Sequence, residues 1–331
     1  MDVCDMPLES VFELKPFLEE CKFLPYAEYN VSRDLSANLV LNEISDIISK
    51  KGLCLVAREQ SNVIGLISLE KLDWDTNHFG FPIAKISHLM SAGDNHQSFN
   101  VKRKLISATL ERCYANLQLH VFARVNKEDL ISIHALESQS FHLMDVLVTY
   151  SFDFRKQQRH TQLGLFQVKP YRPEEIHQLS ELAKTCFANT AIATDRFHAD
   201  PTLPKEKSDL LYVKWLTDSS KNIHSEILVV ERDGQPIGFN VCNIGLLLTK
   251  QFGFRLGTIA LTAVRPSERG RLVATSLLEG SLAWFEGKVD VVETGGQVSN
   301  YAVQRAWVRT GFKITRSQCT YHWSPTPEIV Q

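Results

Sequence analysis

Between Gly257 and Glu286 the chain reads GTIALTAVRPSERGRLVATSLLEGSLAWFE, and this stretch constrains the fold more than any other. Thr258 to Val264 is apolar and β-branched and is bounded by Gly257 and Pro266, which predicts a buried strand. Arg269-Gly270-Arg271 follows. Val273, Leu277, Leu278, Leu282 and Phe285 then recur on one side of a predicted helix. A strand that turns straight into a helix aims several free backbone N–H groups at one point. With the helix dipole, those donors make a phosphate site. Gly270 lets the backbone turn, and Arg269 and Arg271 add positive charge beside it. The ordinary alternative is a plain strand–helix connection.

The next segment favours the phosphate reading. Val289 to Glu293 predicts a second strand, and Asn300 opens a short helix with Val303, Ala306 and Trp307 on one face. Gly311-Phe312 ends that helix as a C′ glycine does. This order of elements, through VRPSERGRLVATSLL and QVSNYAVQRAWVRTGF, resembles the GNAT acyl-CoA N-acyltransferases. The resemblance implies an α/β fold built on a mixed sheet, with acetyl-CoA or another acyl-CoA as co-substrate and no metal. It implies that Ala263, Val264, Arg269, Gly270, Arg271, Leu272, Val273, Ala274 and Thr275 hold the coenzyme, chiefly its pyrophosphate. Asn300 and Trp307 then lie by the pantetheine arm.

Two positions depart from the family pattern. Leu272 stands where the loop has its middle glycine, and Trp307 stands where a tyrosine usually protonates the departing thiolate. An indole N–H donates a hydrogen bond but does not give up its proton near neutral pH. As catalytic candidates, Asn300 reads as both a helix N-cap and a contact to the acyl-pantetheine, and Glu293 as a base at a strand end. A strand-end carboxylate is more often capped or solvated.

A chain of 331 residues predicts two domains, each with its own core. The formal charge of −2 carries no basic footprint for nucleic acid. No apolar run is long enough to span a bilayer, and the opening MDVCDMPLES has neither the basic nor the apolar region of a signal peptide. The expectation is a cytoplasmic protein. Its 7 cysteines include no CxxC pair, which argues against a disulfide framework or a zinc cluster. Cys54 and Cys242 lie in strand-like runs and read as small core residues.

Along the first half, Ser36 to Ile48 has helical spacing, and Leu53 to Ala57 and Val63 to Leu69 predict two strands. LDWDTNHFG (72–80) reads as a polar, aromatic loop. A helix over 100–117, a strand over 119–125, a helix over 129–137 and strands over 141–154 follow. The polar run Arg155 to Thr161 marks the boundary, giving domains 1–157 and 163–331. Beyond it come a helix from Pro173, a polar excursion over 190–208, helical turns over 210–216 and a hairpin turning at Asp233-Gly234.

The halves repeat. Setting Phe141 on Phe312 with no gap sets Asp129 on Asn300 and Thr149-Tyr150 on Thr320-Tyr321. Setting Gly65 on Gly238 sets Leu55-Val56 on Leu228-Val229. The reading is therefore tandem GNAT-like domains, the first degenerate because His96 to Asn100 has no Arg-Gly turn. Within the family, LDWDTNHFG, DRFHADP (195–201) and LYVKWLTDS (211–219) are similar to the TDP-fucosamine acetyltransferases. That likeness implies a small-molecule amine acceptor, a nucleotide-linked amino sugar, read by Arg196 and His198. Two other readings stay open: a non-catalytic acyl-CoA-binding module, and acyl transfer from a carrier-protein thioester. The oligomeric state is not legible.

Overall fold

The computed structural model describes residues 1–93, 96–115, 120–159, 164–188, 194–245 and 254–325. The predicted helix end at 116–117, the strand start at Leu119, linker residues His160 and Thr161, the domain start at Leu163 and residues 190–193 of the excursion lie outside these.

The first half contains β1 (Asp2–Asp5), α1 (Lys15–Glu20), α2 (Arg33–Ser49), β2 (Leu53–Glu59), β3 (Asn62–Lys71) and α3 (Asp73–Phe79). It continues with β4 (Ile83–Ser91), α4 (His96–Ala115), β5 (His120–Asn126), α5 (Leu130–Glu137) and β6 (His142–Asp153). Then come β7 (Val168–Pro170), α6 (Ile176–Phe187), α7 (Arg196–Ala199), α8 (Lys205–Ser219), β8 (Ser225–Arg232), β9 (Gln235–Gly245) and β10 (Leu256–Val264). The chain closes with α9 (Val273–Phe285), β11 (Val291–Gln297), α10 (Tyr301–Arg309) and β12 (Lys313–Trp323).

These elements form two compact units. One is Met1–Val146 with the chain from Ser317 onward, and the other is Leu147–Arg316. These units differ from the linear division expected at 157 and 163. Strand pairing is the reason. The end of β6, Leu147 to Asp153, pairs with β11 inside the second unit. The end of β12, Gln318 to Trp323, pairs with β5 inside the first.

In the first unit the sheet runs β1-β2-β3-β4-β5-β12, antiparallel except for the parallel pair β4–β5. Side chains alternate across it. Leu55 and Ile67 pack with Leu105 of α4, while Val56 and Leu66 pack with Val40 and Ile44 of α2. The stretch expected as a loop at 72–80 is helical instead. Trp74 and His78, one turn apart, stack at 5.8 Å, and Gly80 at φ 87° ends the helix.

In the second unit the sheet runs β6-β11-β10-β9-β8-β7, and again one pair, β10–β11, is parallel. The predicted hairpin forms between β8 and β9, with Asp233 and Gly234 both at positive φ. Phe152, Leu278, Leu282, Phe285, Trp307 and Phe312 build one core. Cys54 and Cys242 are buried, as expected, and burial pushes both thiols up to about 12.

The two units repeat one plan. In each, a long helix bridges the parallel strands, and a short helix follows whose N-cap is a side chain. Asp129 Oδ1 accepts from Ser132 N at 3.0 Å, and Asn300 Oδ1 from Val303 N at 3.5 Å. The crevices between the two helices differ. In the first unit Lys102 of α4 is buried there, its Nζ 3.0 Å from Asp129 Oδ2 and 2.7 Å from Ser132 Oγ. In the second unit the corresponding crevice is open.

Candidate active site

The open crevice begins where two strands part. β10 pairs with β11 from Leu256 to Ile259, opposite Val291 to Thr294. β10 continues to Val264 beside β9 and β11 to Gln297 beside β6, but the two no longer pair with each other. A register shift between Ile259 and Leu261 bulges β10 against β9, which bends it away from β11. Thr294 Oγ1 sits at the apex and donates to Ile259 O at 3.3 Å. The wedge opens into a cleft of about 510 Å³, within the usual range for small-molecule sites. Thr262, Ala263 and Val264 of β10 and Gln297 of β11 form its floor, and Ala302, Val303 and Ala306 of α10 form one wall.

The predicted turn forms its mouth. Pro266–Glu268 make one tight helical turn, and Arg269 Nε then donates back to Val264 O at 3.3 Å. Gly270 lies at φ 77°, where a Cβ would touch nothing but the backbone would be strained. Leu272 precedes α9 in the left-handed region at φ 63° and no side chain caps the helix. The first intrahelical bond is Ser276 N to Leu272 O, 2.9 Å. The N–H groups of Val273, Ala274 and Thr275 therefore precede the ladder, and all three residues line the cleft. Gly238 of β9 lets α9 start this close to the sheet. A Cβ there would lie 2.9 Å from Val273 Cγ1 and 3.0 Å from Ala263 O.

Leucine in a left-handed conformation is strained by roughly 1–2 kcal/mol. Glycine is therefore expected to outperform alanine at this position. Leu272→Gly should be more stable than Leu272→Ala by about 1 kcal/mol in urea unfolding, although it removes more atoms. An alanine variant equal to or above the glycine variant would mean that the turn relaxes.

Of the residues predicted from sequence, Ala263, Val264, Arg269, Gly270, Leu272, Val273, Ala274, Thr275 and Asn300 line this one cleft. Five others do not line it. Arg271 projects from the turn toward Glu268, 3.7 Å away. Trp307 is 2% exposed and faces the core, its ring 5.1 Å from that of Tyr150. One helical step separates it from Ala306, which turns it away from the cleft. Glu293 is held in a bidentate pair by Arg316, at 2.7 and 2.9 Å. Arg196 lies over the Phe197 ring at 4.0 Å. His198 is bound at both ring nitrogens, Nδ1 to Asp195 at 2.8 Å and Nε2 to Asp209 at 3.1 Å. The hydrogen bond to Asp195, helped by Asp209, lifts the His198 pKa above the ordinary range against the pull of burial. A doubly bonded imidazolium of this kind is a clasp between α7 and α8, not an available base.

Asp195, beside that clasp, does line the cleft. Burial pushes its pKa up, but hydrogen bonds from His198 and Tyr212 outweigh that and hold it below the ordinary range. Tyr212 of α8 and Phe187 of α6 also line the cleft and stack with ring centroids 4.3 Å apart. Cys186 does too, donating from Sγ to Val264 O at 3.3 Å. Burial pushes that thiol up, so it stays neutral. Arg305 and Arg309 complete the lining. Asp195 falls in the DRFHADP stretch that the sequence points to, whereas Phe187, Cys186, Tyr212, Arg305 and Arg309 are not singled out as site residues there. The only signal for Arg305 and Arg309 was their spacing, three and seven residues after Ala302 on one helical face.

Residues 179–312 match the family model described as Acetyltransferase (GNAT) family. No curated protein sequence matches the chain. Among solved structures, a GCN5-related N-acetyltransferase from Sphaerobacter thermophilus shares 12% identity over 98% of this chain and 95% of its own, with a TM-score of 0.62. A tandem GNAT protein from the clavulanic acid biosynthesis pathway shares 13% identity over 98% of this chain and 99% of its own, with a TM-score of 0.58. A glucosamine N-acetyltransferase region of a fungal multi-domain β-N-acetylglucosaminidase shares 15% identity over 97% of this chain and 38% of its own, with a TM-score of 0.63. At these identities the structures show the fold, and two of them match nearly end to end, as a doubled GNAT chain does. Among the described residues no helix is long and apolar enough to cross a membrane. Residues 179–312 are thus similar to the GNAT acetyltransferase family, and the chain shares the fold of solved GNAT proteins, a tandem one among them.

Proposed function

We propose that the second unit binds acetyl-CoA or another acyl-CoA in the cleft between β10 and β11 and transfers the acyl group to the amine of a small molecule. One observation carries this reading: the splayed strands end at an uncapped helix start, so free amides converge at the mouth of a narrow slot. Diphosphate rests on Gly270 to Thr275 beside Arg269, and the pantetheine arm runs inward past Asn300. The backbone N–H of Val264, which points away from β9 and lies past the last β10–β11 pair, polarises the thioester carbonyl. The lone pair of the neutral amine attacks that carbon, the tetrahedral centre expels coenzyme A as its thiolate, and the proton lost from the nitrogen goes to water.

Holding amine and thioester together supplies much of the rate, up to roughly 7–11 kcal/mol in favourable cases. Proton transfer contributes less. Glu293 and His198 are occupied, and Trp307 is in the core. The thiolate is a tolerable leaving group that takes its proton from water. A nucleotide-linked amino sugar is the leading acceptor. Two things support it: the three stretches similar to the TDP-fucosamine acetyltransferases, and the shared fold of a glucosamine N-acetyltransferase region. Phe187 and Tyr212 offer a flat apolar face against which a sugar ring fits.

Calorimetric titration with acetyl-CoA tests the cradle. Arg269→Ala is expected to weaken binding about tenfold, since a hydrogen bond to a charged group contributes roughly 1.5–3 kcal/mol. Unchanged affinity would remove the phosphate assignment. Release of free coenzyme A on adding a TDP-linked amino sugar tests the acceptor, and saturable binding without release would reject that amine.

A further inference from the structure

We propose that Arg305 and Arg309 form a second anion site in the same cleft, one that takes the 3′-phosphate monoester of coenzyme A. The proposal rests on the acyl-CoA reading above and extends it to a part of the cofactor that the α9 cradle does not reach.

Most cations around the cleft already have a partner. Around the mouth, Arg232 and Arg271 share the carboxylate of Glu268. Arg265 donates to Pro236 O at 2.8 Å, and Arg269 to Val264 O. The other cleft carboxylate, Asp195, is bonded by His198. Among the described residues, Arg305 and Arg309 have no carboxylate within salt-bridge distance. Both are exposed, and both line the cleft.

Their spacing matters next. Four residues apart, they stand on one face of α10, where side chains at this spacing are neighbours. Like charges at this spacing repel, and a shared anion removes that repulsion. A phosphate monoester carries close to two charges near neutral pH and presents three oxygens, which suits two planar forks. A singly charged diphosphate oxygen suits them less well.

Position then selects the phosphate. Ala302, Val303 and Ala306 give α10 a smooth inner wall for the pantetheine arm. The diphosphate is taken by Gly270 to Thr275 on α9 and its turn. Coenzyme A has one further phosphate, on the ribose beyond the diphosphate. Among the described residues, Arg305 and Arg309 are the cleft cations with neither an ion pair nor a hydrogen bond, whereas Arg269 is held against Val264 O beside the diphosphate position.

Calorimetric titration of the full-length protein with acetyl-CoA and with acetyl-3′-dephospho-CoA tests this. The wild type is expected to prefer the 3′-phosphorylated form by roughly tenfold or more. In the Arg305→Ala/Arg309→Ala variant the preference should fall to within about twofold, with affinity for the dephospho form retained. Equal wild-type affinity for the two forms overturns the proposal. So does a variant that keeps the preference, or one that loses both forms equally, which would place the arginines on the diphosphate instead. If the wild type binds neither form, the acyl-CoA reading itself fails, and the proposal with it.

Discussion

Replacing Trp307 with alanine is expected to cost about 3–5 kcal/mol of unfolding free energy, the range for removing a large aromatic from a packed interior. The side chain is 2% exposed and ties α10 to two strands. Its ring lies beside Tyr150 of β6, and at Gly296 of β11 an added Cβ would come within 3.1 Å of Trp307 Cη2. The missing Cβ at Gly296 is thus what admits the indole. The Nε1–H is buried without a partner among the described residues, which itself costs about 1–3 kcal/mol. Trp307→Phe should therefore cost much less than Trp307→Ala, since it drops the orphaned donor while keeping an aromatic ring. Trp307→Tyr should not raise turnover, because the ring faces the core and not the thioester. Circular dichroism across a urea titration measures the stabilities. A loss below about 1 kcal/mol for Trp307→Ala would mean that the indole is not packed as described.

Removing Lys102 should be nearly as costly. Its Nζ is bonded to both Asp129 oxygens and to Ser132 Oγ, with Lys102 at 4% and Asp129 at 8% exposure. Lys102→Ala would leave an uncompensated buried carboxylate, at a cost of about 3–5 kcal/mol. The double change Lys102→Met with Asp129→Asn should recover most of that. Methionine fills the volume without a charge, and asparagine still caps α5, as Asn300 caps α10 in the second unit. If Lys102→Ala were tolerated within about 1 kcal/mol, the ion pair would not be what closes this crevice. With Asp129 set on Asn300, Lys102 falls in the first turn of α9. A lysine therefore fills, in the first unit, the crevice that is the cleft of the second.

Much of the site could be read ahead of the structure. The strand at Thr258 to Val264, the Arg-Gly turn, the helix from Val273 and the Asn300 cap were all legible, because each is written in local terms. Apolar period, turn chemistry and capping act over a few residues. The halves' shared plan was legible for the same reason, as matched local patterns. Other features were not. Trp307 and Ala306 both read as apolar positions on α10, yet one faces the core and the other the cleft. Sequence periodicity marks a buried stripe without saying which neighbour covers each part of it. Sequence favours a capped or hydrogen-bonded Glu293 and His198 over free ones, but only the fold brings their partners, Arg316 and Asp209, alongside.

Local chemistry alone thus specified most helices and strands of the second unit, the Arg-Gly turn, and the likeness of one half to the other, though not α7 or the start of α8. Tertiary packing decided where β10 and β11 part, which strands β6 and β12 join, and which side chains meet at the cleft. The division has one cause. Turns, caps and periodicity depend on neighbours in sequence, whereas strand register, ion-pair partners and the direction of burial depend on residues far away along the chain.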